Sequence, residues 1–243
     1  MTFYHTCPAL EGLDWLIHGS TTRQFNPGNN SREEDLRHLA EVWNVAPDNY
    51  LYGNQKHTVH IHYHKDLNRG ERQKEETFII ADSTDAVGTE VPGILVCVFT
   101  ADCVPVFLVD TQRRRVMLVH AGWRGTHENI TGKAIRVMVA QGSDPDDIIM
   151  WAGPAIGRCC YEVSPELSLS FVKMFRGNPE CVQGRMLDLK AMNRVQALRE
   201  SIRPEKIHIS PFCTRCRTDL FYSYRAEGGI RGRILSAAMI RKL

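Results

Sequence analysis

Residues Thr100 to Gly125 read TADCVPVFLVDTQRRRVMLVHAGWRG, and how this stretch folds decides the fold of the chain. Val104 to Val109 and Val116 to Val119 are short apolar runs bounded by polar residues, so each reads as a buried strand. The basic triplet Arg113 to Arg115 sits where a hairpin turn belongs and reads as a solvated turn, not a recognition patch. Cys103 follows a third buried run, Ile94 to Phe99, and His120 closes the run Val116 to Val119. If those runs are neighbouring strands, a thiolate and an imidazole meet at one end of a sheet, and zinc accepts both as ligands.

Outward from this segment, strands are predicted over Thr58 to Tyr63, Ile148 to Trp151, Lys206 to Ser210 and Leu220 to Tyr224. Helices are predicted over Ser31 to Trp43, with Ser31 near the N-cap, about Thr126 to Val139, Pro165 to Phe175 and Leu187 to Ile202. The strands come in groups without strict βαβ alternation. That pattern predicts an α+β class, a mixed β-sheet core flanked by helices, in preference to a doubly wound parallel sheet. Eight of the twelve residues from Lys65 to Glu76 are charged, which predicts a surface loop or hairpin.

The length, 243 residues, suits a single domain spanning 1–243. With 43% hydrophobic and 24% charged residues the chain has ordinary globular composition, which excludes disordered and fibrous classes. A net charge of +2 is too small to imply a nucleic acid or membrane partner. The N-terminal stretch lacks the basic start and long apolar core of a signal peptide, and no run approaches the roughly twenty apolar residues of a membrane helix. The expectation is a cytoplasmic protein whose eight cysteines are thiols or ligands, not disulfides.

A catalytic zinc takes three protein ligands and keeps a position open, so Cys103 and His120 need a partner. Candidates crowd the stretch HTVHIHYH, His57 to His64. On a strand, the period of two puts His60, His62 and His64 on one face and His57 on the other unless a bulge intervenes. Either His57 joins Cys103 and His120, or the three alternating histidines form a separate metal site or merely an exposed strand face. The turn after His120 holds Arg124, a planar cation suited to phosphate or carboxylate, and a helix starting near Thr126 would aim its first N–H groups at the same place. Cys213 and Cys216 form a CxxC, half of a zinc ribbon, but the adjacent Cys159 and Cys160 have the wrong spacing for the second half, so a ribbon is not expected.

TADCVPVFL, HAGWRG and GPAIGRCCYEV, with HGSTTR at His18 to Arg23, QKH at Gln55 to His57 and FYSYR at Phe221 to Arg225, resemble the YfiH family, also called the multicopper polyphenol oxidase or laccase domain family. The resemblance runs from about residue 18 to 233. It implies a layered α/β/β/α arrangement and a zinc site, with copper as a possible occupant, held by His57, Cys103 and His120, which are also the catalytic candidates. It also implies phosphorolysis of adenosine, inosine, guanosine and methylthioadenosine, together with deamination of adenosine, so the expected partners are a purine nucleoside and phosphate. Arg124, Arg23 and Arg225 are the candidate phosphate-binding residues. Three motifs differ from the family pattern. Thr58 replaces the glycine of QxHG, QFNPG stands in place of GGVS, and the late TGR reads RGR at Arg231 to Arg233.

Two other enzymatic readings compete. A multicopper oxidase needs nearly as many histidines as the chain's 10, grouped in HxH pairs, whereas several here are isolated. A cysteine amidohydrolase editing peptidoglycan precursors would use His120 to activate Cys103 as nucleophile. A noncatalytic metal or nucleotide binding protein is the third alternative.

Overall fold

A computed structural model describes residues 3–25, 30–65, 77–229 and 231–242. The strands β1 (Tyr4–His5), β2 (Leu16–Thr21) and β3 (Asn49–Gly53) precede β4 (Ile61–His64), β5 (Thr77–Ala81) and β6 (Ala86–Thr89). The central stretch supplies β7 (Ile94–Thr100), β8 (Val104–Asp110) and β9 (Arg115–Ala121). There follow β10 (Ile148–Ala152), the short pair β11 (Val182–Gln183) and β12 (Met186–Leu187), then β13 (Ile207–Ile209) and β14 (Ile234–Ile240). One sheet has the order β1-β2-β14-β7-β3-β5 and a second the order β13-β10-β8-β9-β6-β4. Both are mixed: β3 runs parallel to β7 and β5, and β10 parallel to β13, while β8 and β9 form an antiparallel hairpin.

The side-chain period of two sorts the central strands into layers. Ile94, Val96 and Val98 of β7 meet Phe107 and Val109 of β8, Val116 and Leu118 of β9 and Trp151 of β10 in one core between the sheets. The opposite face of β7, Leu95, Cys97 and Phe99, packs against the helix α2 (Arg32–Val42) through Leu36, Leu39 and Ala40. Val104, Val106 and Leu108 of β8 and Met117 and Val119 of β9 face the other way. They pack on α4 (Ile130–Ala140) and α6 (Leu189–Arg199), which contribute Ile130, Ala134, Met138, Met192 and Val195. The order of layers is therefore helix, sheet, sheet, helix. Burial on both faces is why these strands read as continuous apolar runs.

The remaining helices are α1 (Pro8–Glu11), α3 (Trp123–His127), α5 (Pro165–Met174) and α7 (Tyr224–Glu227). Ser31 caps α2 as expected, its hydroxyl accepting from the Glu34 amide while the Glu34 carboxylate accepts from the Ser31 amide. No helix among the described residues is long and apolar enough to cross a membrane.

Several expectations are corrected. The runs at Ile94 and Val116 are not neighbours in one sheet; β7 and β9 belong to different sheets that face each other, and the chain crosses between sheets at Ala101 to Cys103. The helix predicted near Thr126 begins earlier, at Trp123, and breaks at Asn129, whose φ of 62° is left-handed. No strand covers Leu220 to Tyr224; the segment turns and enters α7 at Tyr224. The strand placed at Thr58 starts at Ile61. Residues 66–76 of the charged stretch lie outside the described residues.

Candidate metal centre and its arginine-lined cavity

Cys103 stands in the crossing between β7 and β8, and His120 is the penultimate residue of β9, paired across the hairpin with Pro105. His57 precedes β4 in a loop and has a left-handed φ of 58°. Strand parity therefore does not apply to it, and its side chain turns back to the other two. The ligand atoms of His57, Cys103 and His120 all lie within 4.8 Å of one another. Cys103 Sγ is 3.9 Å from His57 Nε2, and the two imidazoles meet edge to face with centroids 4.8 Å apart. Gly122 leaves the room this requires: a Cβ there would come within 2.9 Å of the His57 ring and 3.0 Å of Cys103 Sγ.

Asp85, buried just before β6, holds the group together. Its carboxylate lies 2.7 Å from His120 Nδ1 and accepts from the backbone amides of Lys56, His57 and Thr58 and from the Thr58 hydroxyl. The family's glycine position thus carries a threonine that adds a hydrogen bond to the same carboxylate. Burial pushes the Asp85 carboxyl up, but the bonds from His120 and Thr58 outweigh it and hold the pKa at about 2. Burial also raises the Cys103 thiol, and the charge of His120, then hydrogen bonds from His120 and His57, bring it down to about 6. His120 is lowered by burial and lifted by Cys103 and Asp85 to about 9. The lowered Cys103 pKa favours the thiolate, the form that binds a metal.

One soft thiolate and two imidazoles, with the far nitrogen of His120 fixed by a carboxylate, fit a zinc-type ion and its supporting shell. No further protein ligand joins them among the described residues, so such an ion keeps a position for substrate or water.

The three residues open onto a cavity of about 680 Å³ that is also lined by Arg32, Arg124, Arg225 and Arg233. Arg124 lies over the Trp123 ring at 4.5 Å. Arg225 donates to the Glu162 carbonyl and lies over Tyr161, and its amide donates to Asp102. Arg23, the remaining candidate from the sequence, lies apart from them: its guanidinium is bound to Glu227 and stacked over Tyr222, and it is not among the residues lining the cavity. The first two residues of the short α3, Trp123 and Arg124, line the cavity, and Arg124 brings a full positive charge there.

Arg32 and Asp85 carry no signal of a site role in the sequence, and Tyr161 and Arg233 enter it only as members of quoted motifs. Arg32 looks like an ordinary first residue of a helix, and Asp85 precedes a strand of only four residues, too short to announce its register. The alternating histidines do not converge: His60 contacts the Ser83 carbonyl, and the His62 and His64 rings are 6.2 Å apart without a third ligand among the described residues. The CxxC does not stand alone, because Cys159 and Cys160 lie beside Cys213 and Cys216.

Two mixed sheets between helices, with a cysteine and two histidines at the mouth of an arginine-lined cavity, define an α+β protein with a group of side chains able to hold a metal ion. Residues 25–241 match the family described as multi-copper polyphenol oxidoreductase laccase, and the chain belongs to that family. It is 32% identical over 259 residues to a purine nucleoside phosphorylase of Bacteroides thetaiotaomicron, covering 96% of this chain and 95% of that one. It is 37% identical over 158 residues to adenosine deaminase RL5 from an unidentified prokaryote, covering 63% of this chain and 60% of that one. The crystal structure of YlmD from Geobacillus stearothermophilus superposes with a TM-score of 0.84 at 27% identity, over 100% of both chains.

Proposed function

We propose that this protein is a zinc-dependent purine nucleoside enzyme. It cleaves adenosine, inosine, guanosine and methylthioadenosine with phosphate to the free base and the sugar 1-phosphate, and it also deaminates adenosine. The observation that carries the reading is that His57, Cys103 and His120 share one cavity with four arginines. Relatives bearing the names purine nucleoside phosphorylase and adenosine deaminase support it.

In phosphorolysis a phosphate oxygen bonds to the anomeric carbon as the carbon–nitrogen bond breaks, and the purine leaves with the electron pair. Positive charge grows on the sugar, so an anion fixed beneath it stabilises the transition state. Arg124 and Arg225 line the cavity and would hold that anion, with Arg32 and Arg233 adding charge to the same wall. Burial, and then the neighbouring charge of Arg32, lowers the pKa of Arg233. A bound phosphate relieves that crowding of cations. Tyr161 keeps its proton, since burial and then the Cys103 charge push its phenol to about 12. It therefore offers a hydroxyl donor to substrate. His57, Cys103 and His120 would hold a zinc ion, which would supply Lewis acidity and an activated water suited to displacing the purine amino group as ammonia.

The test is product analysis on a nucleoside panel with metal-loaded protein. Free base matched by sugar 1-phosphate supports phosphorolysis. Oxidation of phenols without nucleoside turnover would overturn the reading in favour of copper oxidase chemistry.

A further inference from the structure

We propose that Cys159, Cys160, Cys213 and Cys216 form a second metal site, a closed four-thiolate site for a single zinc ion that clasps two loops forming the wall of the nucleoside cavity. The four sulfurs all lie within 4.8 Å of one another. Cys216 Sγ is 3.6 Å from Cys159 Sγ and 3.4 Å from Cys160 Sγ. A disulfide needs about 2.05 Å between sulfurs, so these thiols are not bonded. Tetrahedral zinc with ligands at about 2.3 Å sets its sulfurs about 3.8 Å apart, close to what is seen. A cluster of several irons holds its cysteines farther apart, and so the spacing selects a mononuclear ion.

The surroundings are those of a metal-bound thiolate. The Gly157 amide donates to Cys213 Sγ at 3.2 Å, the kind of supporting hydrogen bond that orients a ligand. A Cβ at Gly157 would stand 3.3 Å from both Cys159 Sγ and Cys213 Cβ, a tight approach that shows how closely this backbone packs against the cluster. No histidine or carboxylate belongs to the group. An all-sulfur set with no open position marks a structural site, not a catalytic one.

The loops it joins have little regular structure. The segment after β10 touches the segment after β13 through one bridge, Ala155 to Cys213, and through the Thr214 amide donating to the Ala155 carbonyl at 3.1 Å. Tyr161 directly follows Cys160. Asp102, beside Cys103, accepts from Thr214 Oγ1 at 2.6 Å and from the Arg225 amide at 2.7 Å. The clasp therefore fixes Tyr161 from one side and, through Thr214 and Asp102, Arg225 from the other. Its ligands come from a vicinal pair and a CxxC, a spacing that no zinc-ribbon pattern contains.

The experiment counts zinc in protein stripped of metal under reducing conditions and reconstituted with zinc alone. Wild type is expected to hold two ions per chain. The Cys159→Ser/Cys216→Ser double variant, altered at two exposed positions, should hold one, and His57→Ala should keep the thiolate-bound ion. With cobalt in place of zinc, the double variant should lose most of the thiolate charge-transfer absorption, since four of the five ligand thiolates belong to this site. In zinc-loaded wild type and in His57→Ala, mass spectrometry after alkylation should find these four cysteines protected. The protection readout does not require the double variant to fold. Equal zinc content in wild type and a folded double variant, or four freely alkylated cysteines in zinc-loaded protein, overturns the proposal.

Discussion

His120 Nδ1 lies 2.7 Å from a carboxylate oxygen of Asp85, and the same carboxylate gathers the backbone amides of the loop that carries His57. One buried acid thus sets the orientation of two ligands that are far apart in sequence. Replacing it by an amide, Asp85→Asn, keeps the shape but weakens the bond to His120. The expected result is a zinc affinity lower by about 10- to 100-fold, as for other supporting carboxylates, with the circular dichroism of the fold preserved. Competition against a zinc chelator measures it, and an unchanged affinity would show that Asp85 serves only the loop.

Gly122→Ala places a methyl within 3.0 Å of Cys103 Sγ and 2.9 Å of the His57 ring. Gly122 has a φ of −74°, so the backbone accepts alanine without strain. The variant should fold and lose zinc at this site. Retained zinc would mean that the loop carrying His57 yields, and that the ligand set is less tightly packed than the contacts require.

Arg124→Ala should raise the KM for phosphate by about 10- to 100-fold, the size of one lost charge-assisted hydrogen bond of about 1.5–3 kcal/mol. Arg124→Lys should recover only part of the loss, because a point charge does not reproduce the planar fork. Arg23→Ala is the contrasting case: its guanidinium is already bound to Glu227 and Tyr222, and the phosphate KM should not move. Initial rates over a phosphate series decide both.

His18 is buried against Phe107 and Trp151, and its Nε2 accepts from the Cys7 amide at 3.0 Å. Burial lowers its pKa from 6.5 to about 4, only partly offset by the charge of Glu11. The unfolded chain therefore binds a proton that the folded chain refuses. This contribution is fully present above 6.5 and is lost as pH falls through the window from 6.5 to about 4, by on the order of 3 kcal/mol. Urea unfolding at neutral pH and at about pH 4.5 should show a smaller loss for His18→Gln than for wild type. Parallel losses would remove His18 from the acid response.

Much of the fold is visible in the stretch around Cys103, because β7, β8 and β9 are apolar on both faces and have a length that helices do not. What the stretch hides is which sheet each run enters: β7 and β8 are joined by a crossing that looks like a hairpin turn. Strand β14 escapes notice because Ser236, Ala237 and Ala238 dilute its apolar pattern, although all of it is buried and the Ser236 hydroxyl meets that of Ser20 at 2.7 Å. At the site, Cys103 and His120 are legible as residues at the ends of apolar runs. Parity sets His57 apart from its neighbours on a strand that does not reach it, since β4 begins at Ile61 and the backbone at His57 is left-handed. Asp85, Arg32 and Arg233 reach the site only through tertiary folding, and no local spacing carries that information.

Under the proposed function, phosphate is a reactant held by the arginines of the same cavity that the thiolate and imidazoles enter. The initial rate of adenine release from adenosine, measured in zinc-loaded protein against phosphate concentration, tests it most directly. The rate should rise from near zero to saturation, with ribose 1-phosphate formed mole for mole with adenine. Adenine released equally fast without phosphate would contradict it.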